Sequence, residues 1–482
     1  MKLLDNKIKL NNLLTEIIFS YDLTIPSLYK VSEVYLEHNS HSKKFAKEFL
    51  FIRRYLSFCK IVLVTGFKSL FKKRDFNGTK SDILLVSHHV EKALELNFFF
   101  GDLKKDFNKL NRTVVDLRID SESPQGIYFD NQNESYIDTY CLPSLSLSQC
   151  RWAVRDLIKT FILILSAQKK EKDPEKKELL KLIRNRLFSK TNFFNFCFSI
   201  QLDKFFKTGN FKLAIVTFDG NPWERILCRK FKKNSPTGMV AFYQHAPISE
   251  KSFSLFNEYP SFLNPDRIYC SGEIPQNIFF KNISYTDQIL VIGSRKFLTN
   301  GLNKKGSKSN TVLFVTQGSR KEIGILYRLA LKVARLNKSI EVKVLVHPAT
   351  SLGFFLSTYN PFLNLFLRNF RCLFTSEEKI FIKSKYMIYF SSSLPIEKMV
   401  YGFRPIHLKN PRINNPLDSL VNNENPILSW CTEIEGYEDL LEIINDTEGI
   451  KFMKDIHNKE YAINFSRKYF EPFKISEEII RD

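Results

Sequence analysis

Apolar runs that stop abruptly at short polar turns recur along this chain. "SDILLVSHH" (81–89), "FKLAIVTFDG" (211–220), "GMVAFYQHAP" (238–247) and "DQILVIGS" (287–294) each read as a strand that ends in polar residues or glycine. "RTVVDLR" (112–118) and "DRIYCSGEIPQNIF" (266–279) add further strand signals, and the helical pattern "WERILCRKFKK" follows Pro222. Strands that alternate with helices predict βαβ units and a mostly parallel sheet.

The pattern pauses at "RKFLTNGLNKKGSKSN" (295–310), rich in Gly, Asn and Lys, which reads as a linker. It then restarts. "TVLFVTQGS" (311–319), "EVKVLVHPAT" (341–350), "RCLFTS" (371–376), "YMIYFSSS" (386–393) and "RPIHL" (404–408) follow as strands. Residues 1–80 look helical without a clear motif, 151–208 are rich in helix patterns, and 435–482 read as helical. The expected organisation is α/β: an N-terminal helical region (1–80), a Rossmann-like domain (81–300) and a second Rossmann-like domain with terminal helices (301–482).

Composition fits this picture. A chain of 482 residues has room for two or three domains. With 44% hydrophobic and 26% charged residues it reads as soluble and globular rather than disordered. The formal net charge of +21 favours polyanions or anionic lipid headgroups as neighbours. Basic clusters at 68–74 and 228–233 lack zinc-finger spacing, an RRM signature or zipper heptads, so nucleic acid is not an expected partner. The eight cysteines are scattered without a C-x-x-C pair and read as reduced core residues of a cytoplasmic protein. No run approaches about 18 uninterrupted apolar residues, so no transmembrane helix is expected. The apolar and basic segment 49–74 reads equally as a membrane-surface helix and as a buried one.

Ligands of open parallel sheets bind beyond the carboxyl ends of the strands, so polar residues at those ends carry the most weight. In the second half, Gln317, Gly318, Ser319 and Arg320 form a strand-to-helix turn suited to phosphate. His347 ends a strand before Pro348, where an imidazole could meet a leaving phosphate. Ser391, Ser392 and Ser393 precede a short helix that carries Glu397. If Ser393 caps that helix, Glu397 falls one residue beyond the capping-box position, and a sugar hydroxyl pair would explain it better. In the first half, Asp219 ends a strand before Gly220, and Glu224 begins the next helix, where its dipole alone could account for an acid. Gln244 and His245 end the following strand and are expected on the acceptor side.

Together these residues resemble a family. The layout resembles a GT-B glycosyltransferase, two Rossmann-like domains about a cleft. "IYCSGEIPQNIFFKNISYTDQILVIGSRKF" and "SSSLPIEKMVYGFRPI" resemble segments of bacterial surface-polysaccharide transferases of that fold. The series of acidic-Gly, His-Pro and Ser-Ser motifs resembles bacterial sialyltransferases and Kdo transferases, which use CMP-activated sugars. The resemblance covers roughly 210–410. It implies Asp219 as general base, with Glu224 as the second candidate because a single acidic residue precedes Gly220. It implies His347 as the group assisting the departing CMP phosphate, Ser391 to Ser393 as phosphate ligands, and Glu397 as the carboxylate at the donor ribose. It also implies no metal and no cofactor beyond a nucleotide-sugar co-substrate.

Three functional readings stand at this stage. One is a glycosyltransferase acting on a cell-surface glycan or glycolipid such as lipopolysaccharide, O-antigen or capsule, cytoplasmic or peripheral at the inner face of the membrane. The second is a teichoic-acid-type polyol-phosphate transferase. The third is a non-catalytic basic scaffold on an anionic membrane.

Overall fold

A computed structural model of the protein describes residues 55–67, 81–88, 99–119, 139–140, 145–207, 209–248, 254–297, 310–317, 320–347, 350, 352–359, 367–375, 378–390, 392–408, 432–445, 456–475 and 479. It contains two parallel sheets. The first has seven strands, β1 (Ile83–His88), β2 (Val114–Ile119), β3 (Thr139–Tyr140), β4 (Leu213–Thr217), β5 (Met239–Gln244), β6 (Arg267–Cys270) and β7 (Ile289–Val291), in the order β3-β2-β1-β4-β5-β6-β7. The second has six, β8 (Thr311–Val315), β9 (Glu341–Leu345), β10 (Phe370–Leu373), β11 (Ser384–Tyr389), β12 (Arg404–Leu408) and β13 (Thr432–Ile434), in the order β10-β9-β8-β11-β12-β13. Both are Rossmann-like orders, so the α/β class with two such domains expected from the sequence is what the structure has. The very short β3 and β13 are strands that sequence patterning did not indicate.

Each sheet is covered on both faces, as parallel sheets require. The longer helices among the described residues include α1 (55–67), α2 (Leu147–Lys170), α3 (Pro174–Leu187), α4 (Lys190–Phe206), α5 (Pro222–Asn234), α6 (Glu273–Asn282) and α7 (Arg320–Leu336), of which α4 to α7 pack on the sheets. Leu84 and Val86 face Phe198, Phe205 and Leu227 of α4 and α5, while Ile83 and Leu85 face Phe100 and Phe107 on the other side. In the second sheet Val312 and Phe314 pack on Ile323 and Leu326 of α7. Helices α1, α2 and α3 share a separate small core with the first turns of α4. Among the described residues no helix is long and apolar enough to cross a membrane.

The end of the chain ties the two domains together. A short helix α8 (Leu394–Lys398) follows β11, and a longer one, α9 (Ile456–Tyr469), packs against it. Phe465, Tyr469 and Phe470 lie in the core of the second sheet, beside Leu313, Met387 and Tyr389. Three residues on, Phe473 begins to pack against the core of the first sheet, where Ile479 is buried. Backbone bonds fix the crossing: Glu471 N–H donates to Ser271 O (2.8 Å), Ser294 N–H to Glu471 O (2.7 Å) and Lys474 N–H to Ile292 O (2.9 Å). The segment 435–482, expected to be helical, therefore contains an extended stretch after Tyr469 that belongs to the first sheet's packing.

Gly293 makes this crossing possible. Its φ of 94° is a left-handed value, and a Cβ there would lie 2.1 Å from the carbonyl oxygen of Pro472. We expect Gly293→Ala to lower stability by at least about 2 kcal/mol, from backbone strain and clash together. Gly353 lies in a helix with no atom within 4 Å of its would-be Cβ. Gly353→Ala should instead raise stability by roughly 0.5–1 kcal/mol. Urea denaturation of the two variants checks the contrast.

Candidate functional site

In each sheet the strand order reverses direction at one point, between β1 and β4 in the first and between β8 and β11 in the second. Connections diverge to opposite faces there, and a crevice opens beyond the strand ends. The residues at the first reversal are His88, which ends β1, and the Asp219–Asn221 loop, which leads from β4 into α5. At the second they are Gln317, which follows β8, and Ser392 and Ser393, which follow β11.

The loop after β4 is built around Glu224. Its carboxylate is fully buried and accepts from four donors: the N–H groups of Asp219 (3.0 Å), Gly220 (2.9 Å) and Asn221 (3.0 Å), and Nδ2 of Asn221 (3.1 Å). This is the carboxylate half of a capping box, reaching back to the residues before the helix. Burial, together with the nearby Asp219, pushes the Glu224 carboxyl well above the usual carboxylate range, and the four donors oppose that shift. Gly220 takes a φ of 73°, and a Cβ there would lie 1.9 Å from Ser254 Oγ. Behind the loop the buried guanidinium of Arg225 sits over the rings of Phe218 (5.2 Å), Phe242 (5.2 Å) and Tyr259 (4.9 Å). Glu224 is thus turned inward and has no face for a substrate, which corrects its reading as an alternative base.

Asp219 itself points outward, its side chain about one-third exposed at 36%. Its Oδ1 lies 3.7 Å from Nε2 of His245. His245 is buried, stands edge-on to Phe99 (4.7 Å) and has an Nδ1 without a hydrogen-bond partner. Burial holds its pKa below the ordinary histidine value of 6.5. Asp219 opposes this, while Lys296 and His88 add to it. His88 accepts from Nε1 of Trp223 (2.9 Å) at its own Nε2, with Asn221 Nδ2 3.4 Å away. That contact fixes the proton of a neutral His88 on Nδ1. Gln244 differs from the acceptor-side expectation. It is fully buried, accepts from Ser271 N–H (3.1 Å), and donates to Ala246 O, so its amide joins the ends of β5 and β6.

On the second sheet, His347 follows β9 and donates its backbone N–H to Thr316 Oγ1 (3.0 Å), which draws the ends of β8 and β9 together. Gln317 is exposed and Arg320 opens α7; Gly318, Ser319 and Ser391 lie outside the described residues. Ser392 Oγ accepts from Leu394 N–H (3.3 Å). Ser393 occupies the N-cap position but does not cap, and its Oγ donates to Glu397 Oε1 (3.0 Å).

Glu397 is also held by Lys296, whose Nζ lies 2.6 Å from Oε1. Burial alone would raise the Glu397 carboxyl, but Lys296, Lys398 and Ser393 more than offset it and keep the pKa below its ordinary value. The carboxylate expected to await a ribose is therefore engaged by a lysine of the first domain. Lys296, three residues beyond Gly293, bonds Glu397, and its charge also helps to keep His245 neutral. It also lies 5.3 Å from the ring centre of Phe470. Sequence reasoning did not single out His88, Trp223 or Lys296. The Asn221-x-x-Glu224 capping spacing was readable and would have placed Glu224. Among the described residues no three His, Cys, Asp or Glu side chains cluster as metal ligands.

Two outcomes follow from this geometry. Glu224→Ala strands three backbone donors and should cost roughly 3–5 kcal/mol, whereas Asp219→Ala, at the surface, should change stability by about 0.5 kcal/mol or less. Chemical denaturation separates the two. Because folding lowers the pKa of His245, the unfolded chain binds the extra proton first. Its contribution to stability should be intact above pH 6.5 and be lost as pH falls from 6.5 through the folded pKa. A His245→Gln variant should show a flatter stability profile over that window, read by urea midpoints at successive pH values.

No protein-family model matches the chain, and no curated protein matches it. Solved structures that overlay on it include a UDP-GlcNAc 2-epimerase from Neisseria meningitidis bound to UDP-GlcNAc, with 13% identity, a TM-score of 0.42 and coverage of 80% of this chain and 97% of that one. The glycotransferase of kitacinnamycin overlays at 10% identity and a TM-score of 0.45, covering 81% and 95%. A UDP-N-acetylglucosamine 2-epimerase from Rickettsia bellii does so at 9% identity and a TM-score of 0.43, covering 81% and 95%. These overlays are loose, and the assignment of two Rossmann-like domains rests on the strand order of the two sheets.

Proposed function

We propose that this chain is a glycosyltransferase that moves a sugar from a nucleotide-activated donor to a cell-surface glycan or glycolipid. The acceptor binds the first domain and the donor the second. The observation that carries this reading is the pair of switch points: Asp219 with His245 at one, serine hydroxyls with Glu397 at the other, and Lys296 of the first domain bonded to Glu397 of the second. A donor that is a CMP-activated acidic sugar, such as sialic acid or Kdo, is the finer reading. It is supported by the motif series Asp219-Gly220, His347-Pro348 and Ser391 to Ser393.

In this scheme an acceptor hydroxyl attacks the anomeric carbon and gives its proton to Asp219. The bond from that carbon to the nucleotide phosphate oxygen breaks as the new glycosidic bond forms. His347, Ser392, Ser393 and Lys296 offset the charge that develops on the departing phosphate. Glu397, held ionised, accepts hydrogen bonds from the ribose once Lys296 turns from it to the phosphate. Glu224 and Gly220 act through Asp219, as positioning residues. His245, uncharged near neutral pH, flanks the base without competing with it for charge.

Thermal shift with CMP, UDP, GDP and CDP tests the donor. CMP should raise the midpoint most, and stabilisation by a different nucleotide alone would remove the CMP reading. Asp219→Asn should keep the nucleotide response and lose roughly a hundred- to ten-thousandfold in turnover with the donor so identified. Unchanged turnover would exclude Asp219 as the base. A product that retains a donor phosphate would replace sugar transfer with polyol-phosphate transfer.

A further inference from the structure

We infer that the outward faces of α1 and α2 form a docking surface for an anionic lipid bilayer. This goes beyond the transfer chemistry and does not depend on it. Helix α2 buries one face, with Cys150, Ala153, Leu157, Ile164 and Ala167 in the small helical core. A surface helix of a globular protein is expected to be polar on the opposite side. Here that side exposes Trp152 (50%), Ile158 (46%), Ile162 (59%) and Leu163 (51%). The neighbouring α1 adds Leu63, exposed at 73%. The two helices belong to one surface, since Phe58 shares the core of α2 and the position of a Cβ on Gly66 lies 3.8 Å from Leu147.

Charge selects the occupant. Arg151, Arg155 and Lys159 recur at four-residue spacing between the exposed apolar side chains, and all three are exposed. Over its length α2 carries five basic residues and a single acid, Asp156. An apolar face with interleaved cations suits the headgroup and acyl boundary of an anionic bilayer. A second copy of this chain would bring the same cations into opposition, which disfavours self-association through this face. The exposed side chains are mainly aliphatic rather than stacking aromatics, which disfavours single-stranded nucleic acid. The helix lies along the surface instead of crossing it, because its apolar positions are broken by these charges.

The test is co-sedimentation of the full chain with phosphatidylglycerol-containing vesicles and with pure phosphatidylcholine vesicles, at low and high salt. The expected result is binding to the anionic vesicles, weakened by salt. Arg155→Glu/Lys159→Glu should reduce it by at least about tenfold. Ile162→Asp/Leu163→Asp should reduce it similarly, and Trp152→Ala should reduce it by a smaller factor. Arg328→Glu/Arg335→Glu, the same change of charge on α7 of the second domain, should leave most of the binding intact. Circular dichroism confirms that each variant is folded. Equal binding to both vesicle types, or equal loss from the α7 and α2 charge reversals, would overturn the assignment. So would a concentration-dependent dimer by light scattering that the Ile162→Asp/Leu163→Asp variant abolishes.

Discussion

Parallel pairing is the constraint from which the rest of this molecule follows. Every strand pair in both sheets is parallel, so all strands of a sheet end on one edge. The strand order then opens a crevice on that edge where the connections part. Residues in the crevice are released from filling a core and must instead settle their own polar groups. The chain answers at the first crevice with one buried carboxylate. Glu224 takes the three N–H groups that the sharp turn out of β4 leaves without partners, and in doing so aims Asp219 outward. The outward carboxylate exists because the inward one is satisfied.

A second requirement is that the two edges stand in a fixed relation. The crossing after Tyr469 supplies it through apolar anchors on both sides and backbone bonds between them. Tyr469 is shared directly: its OH accepts from Ile248 N–H (2.8 Å), its carbonyl accepts from Ser271 Oγ (2.8 Å), and its ring lies in the core of the second sheet. Lys468 adds an ion pair to Glu273 at 3.0 Å. A chain end anchored in this way keeps Lys296 close enough to Glu397 for a side-chain bridge to form.

Much of the architecture was legible because long buried strands leave continuous apolar runs that end sharply. The strand ends at Asp219 and His347 were visible for the same reason. What escaped were features whose partners are distant in sequence. "EPFKI" has no periodicity that marks it as packing on a sheet about 200 residues earlier. Glu397 looked free because its lysine lies in the other domain. Gln244 looked available to an acceptor because the strand end gave no sign of Ser271, which follows the neighbouring strand. His88 and Trp223 are 135 positions apart, and no local pattern joins them. Local rules could place side chains on an element, but only the tertiary fold could say which of them were already occupied.

The Lys296–Glu397 pair shows how an occupied site can still be a ready one. Its side chains are 23% and 11% exposed, so both charges have lost much of their water. Desolvation of such a pair offsets most of its Coulomb gain, and its net contribution to stability is small. Removing one partner alone would leave the other charge buried and would be costly. Replacing both contacts together is different. A nucleotide that offers a phosphate to the ammonium and ribose hydroxyls to the carboxylate leaves neither charge unmet. Under the proposed function, the free protein holds its two ligand-binding charges against each other, and the donor exchanges with the pair instead of displacing water from two isolated ions.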